Sequence, residues 1–329
     1  MAIMTDVNEQ NDEAEKKEDP VQLYILEAIA AETLSSSVRN ISHVVVGGAS
    51  SGGLAAFLHG HQVADWVQNK LQAGAGTKVA YFPEVGFFPD WKNPAPPSSE
   101  MYPYSYSELM KFVYEENNAT DTLPKQCLEE RSNDEYYECM LAQNVVQYLL
   151  RPYFIVQSDY DMFQLPAILG WGDNPLPESP QFGQGYLGPP PVSWSEVMDY
   201  ATNLRKLLVD GTKNPLASPT GVFLPACSFH AASFNDDLYV NITSQGIAFN
   251  EAIAMWVDEW LKDGGDVGKS EKRHYTWIHD ANELPIAEAQ CAAGLMMNDK
   301  GTSAAGNAPQ SILCWFIVVS FSLLKAWYS

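Results

Sequence analysis

Short runs of β-branched and aromatic residues recur along the chain, each bounded by glycine, proline or polar residues. Such runs are typical of strands that are buried on both faces of a parallel sheet. They predict strands over His43–Val46, Lys78–Phe82, Tyr153–Val156 and Gly221–Leu224. The stretches around these runs have apolar residues at helical spacing. They predict helices over Pro20–Leu34, Leu54–Leu71, Ser193–Leu208 and Ile247–Leu261, with shorter helical segments beside the loop between Cys127 and Cys139.

Strands that alternate with helices predict an α/β fold, in which a mostly parallel sheet is flanked by helices. Residues 92–105 and 172–192 are rich in proline and predict long surface loops. The pattern shows no internal repeat and no second core. We therefore expect one domain over residues 20–300, between a disordered acidic tail (1–19) and an apolar C-terminal tail (301–329).

The C-terminal tail is unusual because Ile312–Leu324 is almost wholly apolar yet too short for a comfortable membrane span. The small and polar residues before it resemble a glycolipid-anchor signal. A buried terminal helix and an error in the gene sequence are the other interpretations. Membrane association is expected only if the tail is an anchor signal.

The composition favours a folded domain and excludes one class of partner. The chain has 329 residues, of which 46% are hydrophobic, so it can bury a substantial core. Its formal net charge is −22, and it has no basic stripe to displace counterions from phosphates. We therefore expect no binding to nucleic acid. An acidic surface also repels other polyanions, including a de-esterified polysaccharide.

The cysteines and asparagines bear on metal binding and on the compartment. The five cysteines form no CxxC pair and no His/Cys cluster with zinc spacing, so no metal site is expected. Cys127 and Cys139 flank a charged loop and form either a disulfide or two free thiols. Glycosylation sequons begin at Asn40, Asn118 and Asn241. They matter only in a secreted chain, and residues 1–19 lack the apolar segment of a signal peptide.

Chemistry is concentrated in the segment that follows the first predicted strand. Gly48–Gly52 has the pattern G-x-S-x-G, with Ser50 at its centre, a strand before it and a helix after it. This context is typical of a nucleophilic serine held at a sharp turn, with small neighbours that avoid a clash. The N–H of Ser51 is then directed at a developing oxyanion, and Gly48 lies beside the substrate. A simple Gly/Ser-rich turn is the alternative. A phosphate-binding loop is a weaker one, because its glycine spacing is missing.

A nucleophilic serine needs a base, and the base needs an acid that orients it. His230 follows the strand Gly221–Leu224, at the sheet end where such sites gather. Its position after Ser50 and after an acidic residue fits the order Ser, Asp/Glu, His. Asp159 and Asp161 both follow Tyr153–Val156, and spacing does not choose between them. His274 and His279 remain spare candidates for the base.

Several blocks, in chain order, resemble the family of pectin acetylesterases and the carboxylesterase Notum. They are GGASSGGLAAFLHG around Ser50, YFPEVGFFPD from Tyr81, SDYDMFQ from Ser158, FLPACSFH from Phe223 and the cysteine-bounded loop. The resemblance implies Asp161 as the acid and His230 as the base. Glu84 stands where that family usually has aspartate.

The resemblance implies an α/β-hydrolase-like fold and a serine carboxylic-ester hydrolase. The implied substrate is an O-acyl ester, an acetyl group on a polysaccharide such as pectin in some members and a fatty acyl group on a protein in Notum. A catalytically inactive binding protein on the same scaffold is the remaining alternative. No cofactor is implied, and we expect a monomer in the extracellular or secretory compartment.

The chain departs from the family pattern before Ser50. A G-G-G-W-like block, whose N–H groups supply further oxyanion donors in the family, is absent from the forty-nine residues that precede Ser50. Loss of one such donor costs about 10²–10³-fold in rate. The family's C-terminal cysteines are missing as well. We therefore expect an N-terminally truncated chain of low activity, whose sheet is incomplete and exposed on its N-terminal side.

Overall fold

The computed structural model describes residues 42–70, 77–91, 105–161, 163–169, 194–234, 236–262, 273–278 and 316–318. In chain order the strands are β1 (His43–Ala49), β2 (Lys78–Glu84), β3 (Tyr153–Val156), β4 (Thr220–Leu224), β5 (Thr243–Ser244), β6 (Ile247–Ala248), β7 (His274–Ile278) and β8 (Phe316–Val318). The α-helices are α1 (Ser51–Lys70), α2 (Tyr106–Asn117), α3 (Lys125–Glu129), α4 (Ala142–Val145), α5 (Trp194–Thr212), α6 (Asp236–Asn241) and α7 (Phe249–Lys262). A π-helical turn covers Leu165–Leu169.

Six of these strands form one sheet in the order β7-β4-β3-β2-β1-β8, and every neighbouring pair is parallel. The carboxyl ends of parallel strands lie at the same edge of a sheet. The segments that follow β1, β2, β3 and β4 therefore converge there. Strands β5 and β6 form a separate antiparallel hairpin.

Side chains of successive strand residues enter two different cores, because a strand alternates its side chains between the faces of the sheet. In β1, Val44 and Val46 pack in a cluster with α1 and α5. Val45 between them packs on the other face, in a cluster with Trp256 and Trp260 of α7. Both clusters are built of buried residues, so the sheet is covered by helices on both faces, as its continuous apolar strands predict.

The four strands predicted from the sequence are present, and the fold class is confirmed. Strand β7 was not among the predicted strands, and it contains His274, one of the spare candidates for the base. Strand β8 lies inside the apolar C-terminal tail and pairs with Val45–Gly47, so three residues of that tail belong to the sheet. Strand β1 therefore has a neighbour on each side, and at these residues the expectation of an exposed N-terminal side of the sheet is wrong.

Other expectations lie outside the described residues: the acidic tail 1–19, the helix over Pro20–Leu34 and nearly all of the loops 92–105 and 172–192. Of Ile312–Leu324, only Phe316–Val318 is described. Among the helices of the described part, none is long and apolar enough to cross a membrane.

Candidate active site

Ser50 occupies the turn between β1 and α1, and its backbone is in the left-handed region with φ of 59°. A residue other than glycine adopts this conformation at a cost of about 1–3 kcal/mol, and such residues cluster at functional sites. Hydrogen bonds hold the turn on both sides. The Ser50 N–H donates to the carbonyl of Glu84 at 3.0 Å, and the Ser50 carbonyl accepts from Leu54 N–H at 3.0 Å. The sequence thus folds locally into the predicted strand, sharp turn and helix.

Glycines let α1 begin this close to the sheet. A Cβ added to Gly48 would lie 2.7 Å from the carbonyl atoms of Gly52, and one added to Gly53 would lie 2.3 Å from the carbonyl oxygen of Glu84. A Cβ added to Gly86 would lie 2.2 Å from the carbonyl carbon of Gly53. These distances allow no side chain. Gly48 is buried against the turn, so the structure gives it a packing role.

Asp161 and His230 form a pair at the ends of β3 and β4. His230 Nδ1 lies 3.0 Å from Asp161 Oδ1 and 2.9 Å from Oδ2. Asp161 is fully buried, and the His230 side chain is 22% exposed. Two backbone N–H groups fix the carboxylate, because Oδ1 also accepts from Phe163 at 2.9 Å and from Gln164 at 3.0 Å. The backbone therefore fixes the Asp161 carboxylate in the orientation in which it faces His230.

The environment of His230 favours the imidazolium form. Burial by itself lowers the pKa, but the Asp161 hydrogen bond and the charges of Asp161 and Glu84 outweigh it, so the pKa of His230 is raised above 6.5. The Phe163 ring lies 5.6 Å from the imidazole, centroid to centroid. With Nδ1 directed at Asp161, Nε2 is the nitrogen left to exchange a proton with a hydroxyl.

Asp159, the other acid considered, has a different partner. It is fully buried and pairs with Arg205 of α5, whose side chain is 12% exposed. Burial raises the pKa of Asp159 to about 7, although the Arg205 charge and hydrogen bond act in the opposite direction. Its Oδ1, like Nε and Nη1 of Arg205, is buried without a hydrogen-bond partner. Asp159 is therefore held in an ion pair with Arg205, and Asp161 is the carboxylate that contacts His230.

Glu84 is a third buried carboxylate at this edge of the sheet, and its sequence pattern predicted no role for it. It lies at the end of β2, is 1% exposed and accepts a hydrogen bond from Ser233 N–H at 2.8 Å on Oε1. The Ser233 hydroxyl donates to Oε2. The sequence offered a single signal, the presence of glutamate where aspartate is usual.

The comparisons with known proteins agree with this architecture. A model of the pectinacetylesterase family matches residues 22–282. The chain belongs to the pectinacetylesterase family. No curated protein matches it in sequence.

Two crystal forms of the Wnt deacylase Notum from Drosophila share the fold of this pectinacetylesterase-family chain. One has a TM-score of 0.55 and 20% identity, over 72% of this chain and 60% of that one. The other has a TM-score of 0.58 and 19% identity, over 78% of this chain and 62% of that one. The chain thus spans about three fifths of the length of these Notum structures. Its mostly parallel sheet flanked by helices is the α/β-hydrolase-like fold.

Ser51 and the cysteines were also singled out from the sequence of this pectinacetylesterase-family member. Ser51 bears on the chemistry of the site, and the cysteines bear on the compartment. Ser51 is the first residue of α1, so its N–H belongs to the first helical turn, which has no partner within the helix. Cys127 and Cys139 form a disulfide with their Cα atoms 5.9 Å apart. Cys227, three residues before His230, is disulfide-bonded as well.

Of the remaining candidates, His274, Asn118 and Asn241 lie within the described residues. His274 lies on β7, where its Nδ1 is 2.7 Å from the Thr220 hydroxyl, and burial lowers its pKa. Of the sequons, Asn118 is exposed and Asn241 is half-buried. His279 and Asn40 lie outside the described residues.

The described residues hold a cavity that is separate from the candidate site. Within the described residues, no group of three or more His, Cys, Asp or Glu side chains is arranged to hold a metal ion. A cavity of about 540 Å³ is lined by Phe57, Tyr81 and Arg151, among others. Arg151 precedes β3, so this cavity lies toward the amino ends of the strands. The candidate site of this pectinacetylesterase-family chain lies at their carboxyl ends.

Proposed function

We propose that this chain is a carboxylic-ester hydrolase that removes O-acyl groups, with Ser50 as nucleophile, His230 as base and Asp161 as the orienting acid. The observation that carries the proposal is the Asp161–His230 pair at the same sheet edge as the left-handed Ser50 turn. Membership of the pectinacetylesterase family supports the same reaction class.

The reaction follows from the roles of these groups. His230 takes the Ser50 proton on Nε2 as the Ser50 oxygen attacks the ester carbonyl carbon. The Ser51 N–H donates to the oxyanion of the tetrahedral intermediate. The bond to the alcohol oxygen then breaks, and the alcohol takes the proton from His230. Water, deprotonated by His230, attacks the acyl-enzyme, and the acid and free Ser50 are released.

The substrate class is proposed from the family and the charge. The family name points to an acetyl ester on pectin, and the net charge of −22 opposes the approach of a polyanion. Together these favour a polysaccharide whose carboxyl groups are still esterified and neutral. Acetate release should therefore be faster from methyl-esterified than from de-esterified acetylated pectin, and added salt should narrow the difference because it screens the repulsion.

We place the protein in the extracellular or secretory compartment. Disulfides persist in oxidising compartments and are rare in the cytosol. The structure has one between Cys127 and Cys139, and a further one at Cys227.

The decisive experiment compares wild type with Ser50→Ala and, as the matched control, Ser51→Ala. A fluorophosphonate probe should label wild type and Ser51→Ala, which keeps its backbone N–H, but not Ser50→Ala. Hydrolysis of p-nitrophenyl acetate should follow the same order. Absence of label on folded wild type would leave the inactive binding protein as the better interpretation. Equal labelling of Ser50→Ala would remove Ser50 from the mechanism.

Acyl chain length tests the second candidate, deacylation of a lipidated protein, which the structural neighbour Notum, a Wnt deacylase, suggests. If acetyl esters are the substrates, p-nitrophenyl acetate should have a higher kcat/KM than the octanoate. Preference for the octanoate would favour the second candidate.

A further inference from the structure

Glu84 is placed between the two halves of the proposed site. Its backbone carbonyl accepts the N–H of Ser50 at 3.0 Å, so it supports the nucleophile turn. Its side chain accepts from Ser233, three residues after His230, through both the backbone N–H and the hydroxyl. One buried residue therefore connects the nucleophile turn and the loop that carries the base.

The loop after His230 begins with a residue in a strained backbone conformation. Ala231 has φ of 64°, a left-handed conformation that costs free energy in a residue with a Cβ. The next residues form a short 3₁₀ turn, Ala232–Phe234. The bonds from Ser233 to the Glu84 carboxylate stabilise this turn, and with it the position of His230, because hydrogen bonds to a charged acceptor are the stronger kind.

The Glu84 carboxylate also acts on His230 by charge. Among the described residues, the charged groups that act on His230 are Asp161 at the end of β3 and Glu84 at the end of β2, and both favour the imidazolium. The pKa of Glu84 is raised, because the effect of burial exceeds that of the hydrogen bonds from Ser233 and Ala232 and of the His230 charge, which all lower it. The donors that hold the loop therefore also help to keep this carboxylate ionised.

We propose that Glu84 is a positioning residue of the active site, a second carboxylate that anchors the His230 loop to the Ser50 turn and stabilises the imidazolium together with Asp161. This inference rests on the proposed function, in which an imidazolium forms each time Ser50 is deprotonated. Asp161 fixes the tautomer through Nδ1, and Glu84 adds charge without occupying a ring nitrogen.

The test separates charge from anchoring in the 329-residue chain. Glu84→Gln removes the charge and keeps one acceptor oxygen, whereas the control Ser233→Ala removes one donor and keeps the carboxylate itself. The titration of His230 is followed by NMR of its Cε1–H group, with His230→Gln to assign the signal. Glu84→Gln should move the titration to lower pH, and Ser233→Ala, which leaves the backbone donors to the Glu84 carboxylate in place, should move it less.

Reactivity gives a second readout. On its high-pH plateau, Glu84→Gln should react with the fluorophosphonate on the order of tenfold more slowly than wild type, the size expected for one lost charge interaction in a partly buried site. The acid limb of its pH profile should move in the same direction as the NMR titration.

The outcomes separate this inference from the proposed function. An unmoved His230 titration in Glu84→Gln overturns the inference, even if Ser50 is labelled normally. Equal shifts in Glu84→Gln and Ser233→Ala overturn it as well, because the effect would then come from the loop position alone. Failure of wild type to label refutes the proposed function, and the NMR titration, which needs no turnover, still decides the role of Glu84.

Discussion

Asp159 and Asp161 lie two residues apart after the same strand, and both are fully buried. Asp159 pairs with Arg205 of α5, and Asp161 pairs with the partly exposed His230. Asp159 and Arg205 leave buried polar atoms without hydrogen-bond partners. The Asp161 carboxylate instead accepts from two backbone N–H groups as well as facing the imidazole.

The difference shows that burial and a carboxylate do not by themselves mark a catalytic acid. A buried ion pair with a permanently charged arginine is a structural element whose loss exposes an uncompensated charge. A carboxylate with several donors beside a partly exposed histidine is suited to hold one tautomer through a reaction. The two pairs should therefore respond oppositely to substitution, Asp161 in rate and Asp159 in stability.

The largest effect is expected for Asp161→Asn. The amide can still accept from Phe163 and Gln164 N–H through its oxygen, so the fold should be kept. Its NH₂ group would face Nδ1 and favour the wrong tautomer of His230, which costs roughly 10⁴-fold in rate in a comparable triad. The measurement is the rate of fluorophosphonate labelling, with the thermal unfolding midpoint as control. A loss of less than tenfold would mean that Asp161 does not orient the base.

The next largest effect is expected for Arg205→Met, which leaves Asp159 buried without its partner. Breaking a buried pair from one side destabilises a protein by about 3–5 kcal/mol. Urea unfolding above pH 7, where the paired Asp159 is ionised, should show this loss, while the labelling rate of the folded fraction stays at the wild-type value. A lower labelling rate with unchanged stability would reverse the roles assigned to the two acids.

The double variant Asp159→Leu/Arg205→Met sharpens this second test. Replacement of both partners by apolar residues of similar size is often neutral or stabilising, so most of the lost stability should return. A double variant that is as unstable as Arg205→Met would show that the charge of Asp159 is not the cause.

The smallest effect concerns pH. In the proposed mechanism His230 must be neutral to accept the Ser50 proton, and the pKa of His230 is raised above 6.5. The rate of fluorophosphonate labelling of wild type should therefore rise with pH, with its midpoint above pH 6.5. Asp161→Asn removes the negative charge that stabilises the imidazolium. The residual labelling of this variant should therefore rise at a lower pH than the labelling of wild type. A wild-type limb below 6.5 would contradict the environment described for His230.

The fold was largely predictable because the central strands are continuous apolar runs. Such runs are typical of strands that are buried on both faces of a parallel sheet. The turn at Ser50 was predictable because its small residues are confined to one short segment. Strand β7 was not, since it lies at the edge of the sheet and has only one buried residue, Trp277. Strand β8 covers three residues of a longer apolar segment, where periodicity does not separate strand from helix.

The acids of the site were predictable only in part. Spacing left Asp159 and Asp161 equal, because the difference between them depends on Arg205, which arrives from a helix later in the chain. The role proposed for Glu84 depends on Ser233, 149 positions away. Contacts of this kind arise from the packed fold, and local patterns carry no signal of them.

The contact between Gly53 and Gly86 has a consequence for sequence variation. A methyl group at either position would meet the backbone of the other segment at 2.2–2.3 Å, and backbone cannot swing aside as a long side chain can. Neither position can change alone, and changing both worsens the clash. Chains that preserve this crossing should therefore carry the two glycines together, which gives a signature for recognising diverged relatives even where the nucleophile itself has been replaced.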